Sequence, residues 1–171
     1  MILFGILFSI IFLLDAVIFP SIFNNYFGYS VLILFSEAML VTKNQKSLTY
    51  SLIIFGLIYE ILQGYSLGIY VLPLLMTYLL VLCVDYFINL RGYCTDMGVV
   101  KYILAPFFGA IILAACLYIN LGLGYFLNSQ KNISWGIDQF GSVSFLIYLY
   151  IMCFIIYWFL EMLSDKHEKR I

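Results

Sequence analysis

Four carboxylates lie within long apolar stretches of this chain: Asp15, Glu37, Glu60 and Asp85. A charged group is costly inside a bilayer, so an acid in such a stretch is by default a candidate for a function. It can bind a proton, take part in ion movement, or accept hydrogen bonds across a contact between helices. Which of these roles each acid fills depends on the elements that position it.

Other reactive groups are scarce. The single histidine, His167, lies in a charged C-terminal tail, whereas a metal site usually gathers several ligands at set spacings. No Cys-x-x-Cys pair, nucleophile-elbow motif, His-Glu-x-x-His motif or phosphate-binding Gly-rich loop with Lys occurs. The sequence therefore predicts a protein that is not an enzyme and needs no metal or cofactor. The four cysteines, which form no such pair, are Cys83, Cys94, Cys116 and Cys153.

The composition excludes a water-soluble domain. Of the 171 residues, 65% are hydrophobic and 10% are charged, whereas soluble domains carry about 25% charged residues. Disorder is excluded because it needs low hydrophobicity. A net charge of −1 gives no reason to expect a nucleic-acid partner, which would need a basic surface. The chain is expected to be an integral membrane protein in contact with membrane lipids.

The hydropathy pattern predicts an all-α bundle of about six transmembrane helices, each of about 20 residues. Together these helices leave no room for a soluble domain, so residues 1–171 form a single transmembrane domain. We expect the first stretch to be a retained helix, because it lacks the basic start and the cleavage site of a signal peptide. The predicted spans are 1–19, 27–42, 48–63, 69–88, 101–123 and 143–163.

Basic residues predict the orientation, because short cytoplasmic loops collect Lys and Arg. With both termini inside, seven of the eight basic residues are cytoplasmic, and Lys131 alone is external. An N-in and C-in topology is therefore expected. The seven cytoplasmic residues are Lys43, Lys46, Arg91, Lys101, Lys166, Lys169 and Arg170.

This topology places the four acids at two levels. Asp15 and Glu60 lie toward outer ends of spans, and Glu37 and Asp85 lie toward inner ends. No Lys or Arg within a span faces them. For Glu37 and Asp85, a position at the lipid headgroups is the simpler interpretation. For Glu60, its neighbours favour a buried role.

Those neighbours occupy residues 56–70. Gly56, Glu60 and Gly64 are four apart and share one helical face. Small residues on that face allow close approach of another backbone, and a carboxyl there can hydrogen-bond across the contact. Gly64 and Gly68 are suited to a tight reversal into the fourth span. Ordinary helix packing followed by a turn explains the same pattern.

The same stretch resembles the signature of the rod-shape-determining MreD family, a Gly-Leu-x-x-Asp-Leu-Leu-x-Gly-x-x-Leu-Gly pattern. Glu60 stands where that family usually has Asp, which keeps the acid and adds one methylene. Tyr70 stands near a common His position, a looser match. The chain length, the expected spans and the basic tail are also similar to that family. The matching positions are Gly56-Leu57, Glu60, Ile61-Leu62, Gly64 and Leu67-Gly68.

The resemblance implies a scaffold in the bacterial cytoplasmic (inner) membrane that helps rod-shaped cells build their lateral peptidoglycan wall. The implied partners are MreC, the RodA glycosyltransferase, a class B penicillin-binding transpeptidase and, indirectly, the actin-like MreB. We expect partner helices to pack against small-residue faces of this bundle. In the fifth span Ala105 and Gly109, then Ala110 and Ala114, recur at four-residue spacing and could seat a helix inside the bundle or from a partner.

Two other functions are open. An S component of an energy-coupling-factor vitamin transporter has a similar six-helix architecture. However, those proteins usually carry Ala-x-x-x-Ala contacts in the first span, and Ala16 is the only alanine there. A small channel or proton-coupled carrier would use the four acids. Their expected placement near two opposite faces leaves the middle of the bundle without a relay.

Overall fold

A computed structural model describes residues 2–15, 29–42, 45–63, 67–126 and 143–168. Within these ranges all regular structure is helical. We number the helices α1 to α7 in chain order. They are α1 (Ile2–Leu13), α2 (Tyr29–Val41), α3 (Gln45–Gln63), α4 (Val71–Ile88), α5 (Leu90–Asp96), α6 (Lys101–Phe126) and α7 (Val143–Glu168).

Helix α2 is the centre of the structure. All of its 13 residues are buried, and it packs against each of the other six described helices. Apolar side chains cover every side of α2, which is typical of a helix enclosed by protein. Its length of about 20 Å is shorter than the roughly 30 Å hydrocarbon core. Because other helices enclose α2, its length does not have to match the bilayer.

The other helices surround α2 and also pack against one another. Helix α1 packs on α3, α3 on α4, α4 on α6, and α6 on α7. Short α5 packs against α4 and α6 and also reaches α2. The core that these contacts create contains large aromatic side chains, among them Phe35, Tyr59, Phe145 and Tyr157.

Three helices are long and apolar enough to cross a membrane: Val71–Ile88, Lys101–Leu123 and Phe145–Met162. Most residues in each are not buried inside the protein. Their exposed side chains are nevertheless large and apolar, as for Leu79, Ile103 and Ile147. A continuous apolar exterior of this kind is unfavourable in water and favourable in lipid. The chain is therefore a helical membrane protein.

Helix α5 was not predicted. It occupies Leu90–Asp96, in the region that the sequence analysis treated as a loop. Asn89 separates it from α4 and adopts a left-handed conformation, with φ of 51°, while its N–H bonds to the Asp85 carbonyl. Asn is among the few residues that tolerate this conformation. The chain therefore turns sharply at Asn89, and α5 packs against α2.

Candidate functional site

The Glu60 carboxylate binds the start of the next helix. Its Oε2 accepts the N–H of Gly68 at 2.8 Å. Its Oε1 accepts the N–H groups of Tyr70 at 2.5 Å and Val71 at 2.8 Å. The side chain is fully buried. Glu60 thus ties the end of α3 to the first turn of α4 through both of its oxygens.

The first turn of α4 needs such an acceptor. The first N–H groups of a helix have no partner within the helix, and the dipole makes that end favourable for negative charge. Tyr70, the residue that precedes α4, supplies no side-chain hydrogen bond to cap it. Gly68 has a φ of 93°, which a glycine adopts without strain. The cap of α4 therefore comes from α3, across the turn that Gly68 permits.

Gly56 sets the distance between α3 and α4. A Cβ at this position would lie 2.9 Å from Val71 Cγ2, which is closer than such atoms pack. The Tyr59 and Tyr70 rings meet edge to face at 5.5 Å on the same pair of elements. The close approach at Gly56 brings α3 near enough for Glu60 to reach the backbone of α4. Gly64, the third small or acidic residue of the predicted face, lies outside the described residues.

Asp15 plays a similar part at α2. It lies two residues beyond the end of α1, is fully buried, and accepts the Val31 N–H through Oδ2 at 3.1 Å. Val31 lies in the first turn of α2. Beside it, the hydroxyls of Ser30 and Tyr148 are hydrogen-bonded at 3.0 Å, which joins α2 to α7. Polar contacts with Asp15 and with Tyr148 of α7 thus hold the start of α2 in place.

Asp85 accepts a backbone N–H group at the start of α5 in the same way. Its Oδ1 accepts the Arg91 N–H at 2.8 Å, and Oδ2 lies 3.8 Å from the Arg91 Nε. The Arg91 guanidinium also sits over the Tyr78 ring, 5.8 Å from its centroid. The sequence predicted that no Lys or Arg within a span faces the four acids, and Arg91 lies outside the predicted spans. It nevertheless reaches Asp85, because the turn at Asn89 returns it toward α4.

Asp15, Glu60 and Asp85 therefore share one role. Each lies on one helix, or two residues beyond its end, and caps the helix that follows it in the chain. The separation between acid and capped N–H varies from 6 residues at Asp85 to 16 at Asp15. Residue spacing alone could not reveal this role, because no fixed interval links acid and helix. The available signal is a single acid near the end of the apolar stretch that precedes each capped helix.

Glu37 has a different environment. It lies on α2 and is fully buried, so protein surrounds its carboxyl, and its level relative to the lipid headgroups stays a prediction. Within the described residues neither of its carboxyl oxygens has a hydrogen-bond partner. A Cβ at Gly109 would overlap the carboxyl, lying 2.6 Å from Glu37 Cδ. The small residues of α6 thus face inward here, and Ala105 is also fully buried.

Further polar contacts connect α5, α6 and α7. The Tyr157 hydroxyl donates to the Cys94 carbonyl at 2.5 Å, and Lys101 pairs with Glu161. Burial raises the pKa of the Cys94 thiol to about 12, so the thiolate that reacts with electrophiles is scarce at neutral pH. In the described ranges, no three or more His, Cys, Asp or Glu residues are arranged to hold a metal ion.

The described candidates lie mostly inside the bundle. Asp15, Gly56, Glu60, Ala105 and Gly109 are all buried, and their neighbours are residues of this chain. Their observed contacts are internal ones that fix how the helices pack. Comparison with protein-family models, curated proteins and solved structures finds no match for this chain. A function therefore has to be inferred from the residues and their geometry.

Proposed function

We propose that this chain is a non-enzymatic membrane scaffold of the MreD type, acting in the complex that builds the lateral wall of rod-shaped bacteria. It would lie in the bacterial inner membrane. Its direct partners would be an MreC-like protein with one membrane span, a RodA-type glycosyltransferase and a class B penicillin-binding transpeptidase. MreB would be reached indirectly.

The observation that carries this proposal is the unit formed by residues 56–63 and 67–71. Among the described residues, the positions that resemble the MreD family include Gly56, Glu60 and Gly68. Gly56 permits the close approach of α3 and α4, Glu60 caps α4, and Gly68 makes the turn between them. Each of these signature residues has a physical task in one small structure. Asp, the usual family residue at the Glu60 position, has the same acceptor chemistry.

The proposal includes six spans with both termini in the cytoplasm. Helices α1, α2, α3, α4, α6 and α7 would supply the spans, and α5 would lie at the cytoplasmic side. The paired carboxylates support a role in holding helices together. Asp15 and Asp85 each accept a backbone N–H group through one oxygen, and Glu60 does so through both, so each of the three acids helps to hold a helix in place.

The proposed mechanism is helix packing. Because the small residues and acids hold the bundle from within, its outer apolar face is presented in one fixed arrangement. Partner spans would pack against that face through van der Waals contact, the main source of helix association in lipid. On α3 the face includes Ile54, Ile58 and Ile61, which are exposed. Glu60 would act on partner binding through the position of α3 relative to α4.

Copurification tests this proposal. The tagged chain would be isolated from its native membrane in mild detergent, and the bound proteins identified by mass spectrometry. Recovery of an MreC-like coiled-coil protein with a wall polymerase is the expected result. Recovery of ATPase subunits with a bound vitamin would instead identify a transporter S component and overturn the proposal.

Replacing Glu60 gives a functional test. Glu60→Leu removes all three acceptor contacts, whereas Glu60→Asp restores the usual family residue. We expect Glu60→Leu to lose rod-shape complementation and partner recovery, and Glu60→Asp to retain much of both. Gln45→Ala, at an exposed polar position at the start of the same helix, is the control, because Gln45 lies outside the apolar face and outside the 56–70 pattern. Full complementation by Glu60→Leu at normal protein levels would contradict the proposal.

A further inference from the structure

Glu37 is the one acid of the four whose carboxyl caps no helix among the described residues. Its side chain has no exposed surface. Neither oxygen has a hydrogen-bond partner in the part of the chain that the structure describes. By comparison, equally buried Glu60 accepts three backbone N–H groups. Two glutamates with the same burial therefore have opposite surroundings.

The groups that face Glu37 are weakly polar or apolar. Helix α6 presents Gly109, whose missing side chain makes room for the carboxyl. Helix α7 presents the Cys153 thiol, a weak hydrogen-bonding group, beside the carboxyl. Tyr157 on α7 and Cys94 on α5 lie within electrostatic range, and the Tyr157 hydroxyl is already donated to the Cys94 carbonyl.

Among the described residues, the buried and half-buried charged groups on the helices around α2 are engaged elsewhere. The carboxylates beside α1 and on α3 accept backbone N–H groups, and the acid on α4 binds α5. The described cations of α5 and α6 each pair with another acid. These engaged groups are Asp15, Glu60, Asp85 with Arg91, and Lys101 with Glu161.

A carboxylate whose only neighbouring donor is a weakly polar thiol, with no cation beside it, is strongly unfavourable when buried, whereas a neutral carboxylic acid is much less so. We infer that Glu37 is a proton-binding site at the centre of the bundle. The neutral acid is the form that packs α2 against Gly109 of α6 and Cys153 of α7. Loss of the proton places an unpaired charge in that contact and loosens it. This inference is independent of the scaffold proposal, since it holds for any partner.

Infrared spectroscopy of the purified full chain tests the protonation state directly. A buried neutral acid has a C=O stretching band that is separate from carboxylate bands and shifts slightly in heavy water. We expect this band in the wild-type protein at neutral pH, and its loss in Glu37→Gln. Glu60→Gln is the matched control, because it removes an equally buried carboxyl that accepts three N–H groups, so the band should remain. Absence of the band from the wild-type protein would overturn the inference.

Thermal unfolding tests the consequence for packing. Above the ordinary glutamate pKa of about 4.3, the unfolded chain has released a proton that the native state retains. The native state then binds more protons, so stability falls as pH rises. We expect the wild-type midpoint to fall by roughly 3–5 °C per pH unit more than that of Glu37→Gln. Identical pH profiles in the two proteins would overturn the inference. If Glu37→Gln does not fold, the wild-type infrared band decides alone.

Discussion

The carboxylate of Glu60 and the backbone N–H of Val71 are joined by a 2.8 Å hydrogen bond, although the two residues are eleven positions apart in the chain. The same Oε1 also accepts the Tyr70 N–H. Glu60 therefore acts as the cap of a helix to which it does not belong. These hydrogen bonds make α3 and α4 one structural unit. We therefore expect their loss to destabilise the packing of the whole bundle.

Removing this cap should destabilise the protein. Glu60→Leu leaves three N–H groups without their acceptor, and a buried donor that loses its partner costs about 1–3 kcal/mol. We expect the free energy of unfolding to fall by about 3 kcal/mol or more, measured by denaturant or thermal unfolding in detergent. Ile61→Ala, at a position exposed on the same helix, should change it by about 1 kcal/mol or less. An unchanged stability in Glu60→Leu would show that the three hydrogen bonds contribute little.

Two glycines on α6 should respond differently to the same substitution. Gly109→Ala places a Cβ against the Glu37 carboxyl, whereas a Cβ at Gly122 meets nothing within 4 Å. We expect Gly109→Ala to destabilise the protein by about 1–3 kcal/mol. Gly122→Ala should be neutral or stabilise it by up to about 1 kcal/mol, because alanine favours the helix. The measurement is the thermal midpoint of each variant.

A double-mutant cycle then identifies the cause. If Gly109→Ala acts through the carboxyl, combining it with Glu37→Ala should remove most of its added destabilisation, since the clashing atoms are gone. Contacting residues typically show interaction energies of about 0.5–3 kcal/mol. Strict additivity of the two substitutions would show that Gly109 matters for another reason.

The left-handed turn at Asn89 gives a backbone prediction. Asn89 has a φ of 51°, a conformation in which glycine is unstrained and most other residues are not. Asn89→Gly should keep the stability close to that of the wild type, and Asn89→Val should lower it by about 1–2 kcal/mol. Thermal unfolding distinguishes the two. Equal effects would mean that side-chain contacts of Asn89, and not its φ, decide the stability.

Cysteine labelling tests the orientation and the burial of α5 together. Val99 lies between α5 and α6 and is 81% exposed, whereas Cys94 is buried with a raised pKa. In sealed vesicles, an impermeant maleimide applied to the cytoplasmic side should label Val99→Cys rapidly and native Cys94 hardly at all. Cys94 should react only after denaturation. Labelling of Val99→Cys only from the opposite side would contradict the N-in topology.

Much of the helical pattern could be predicted, because hydropathy is a local property. The predicted spans 69–88 and 101–123 coincide closely with α4 and α6, since each is a long apolar run bounded by polar or turn-forming residues. The short helix α5 could not be predicted in this way. Its residues, Leu90–Asp96, are few and of mixed polarity, and it is held in place by Asp85 and by packing under α2.

The amino-acid sequence by itself determined that this is a helical membrane protein, and it drew attention to four acids and a glycine-rich turn. Only the tertiary structure decided which helix is enclosed and what each acid contacts. Helices α2 and α7 are both apolar, yet α2 is wholly buried and α7 exposes Ile147 and Phe154. In the same way, Glu60 accepts three N–H groups, whereas within the described ranges Glu37 accepts none. The physical reason is that burial and hydrogen bonding depend on which neighbours arrive from distant parts of the chain, whereas apolar character belongs to each residue alone.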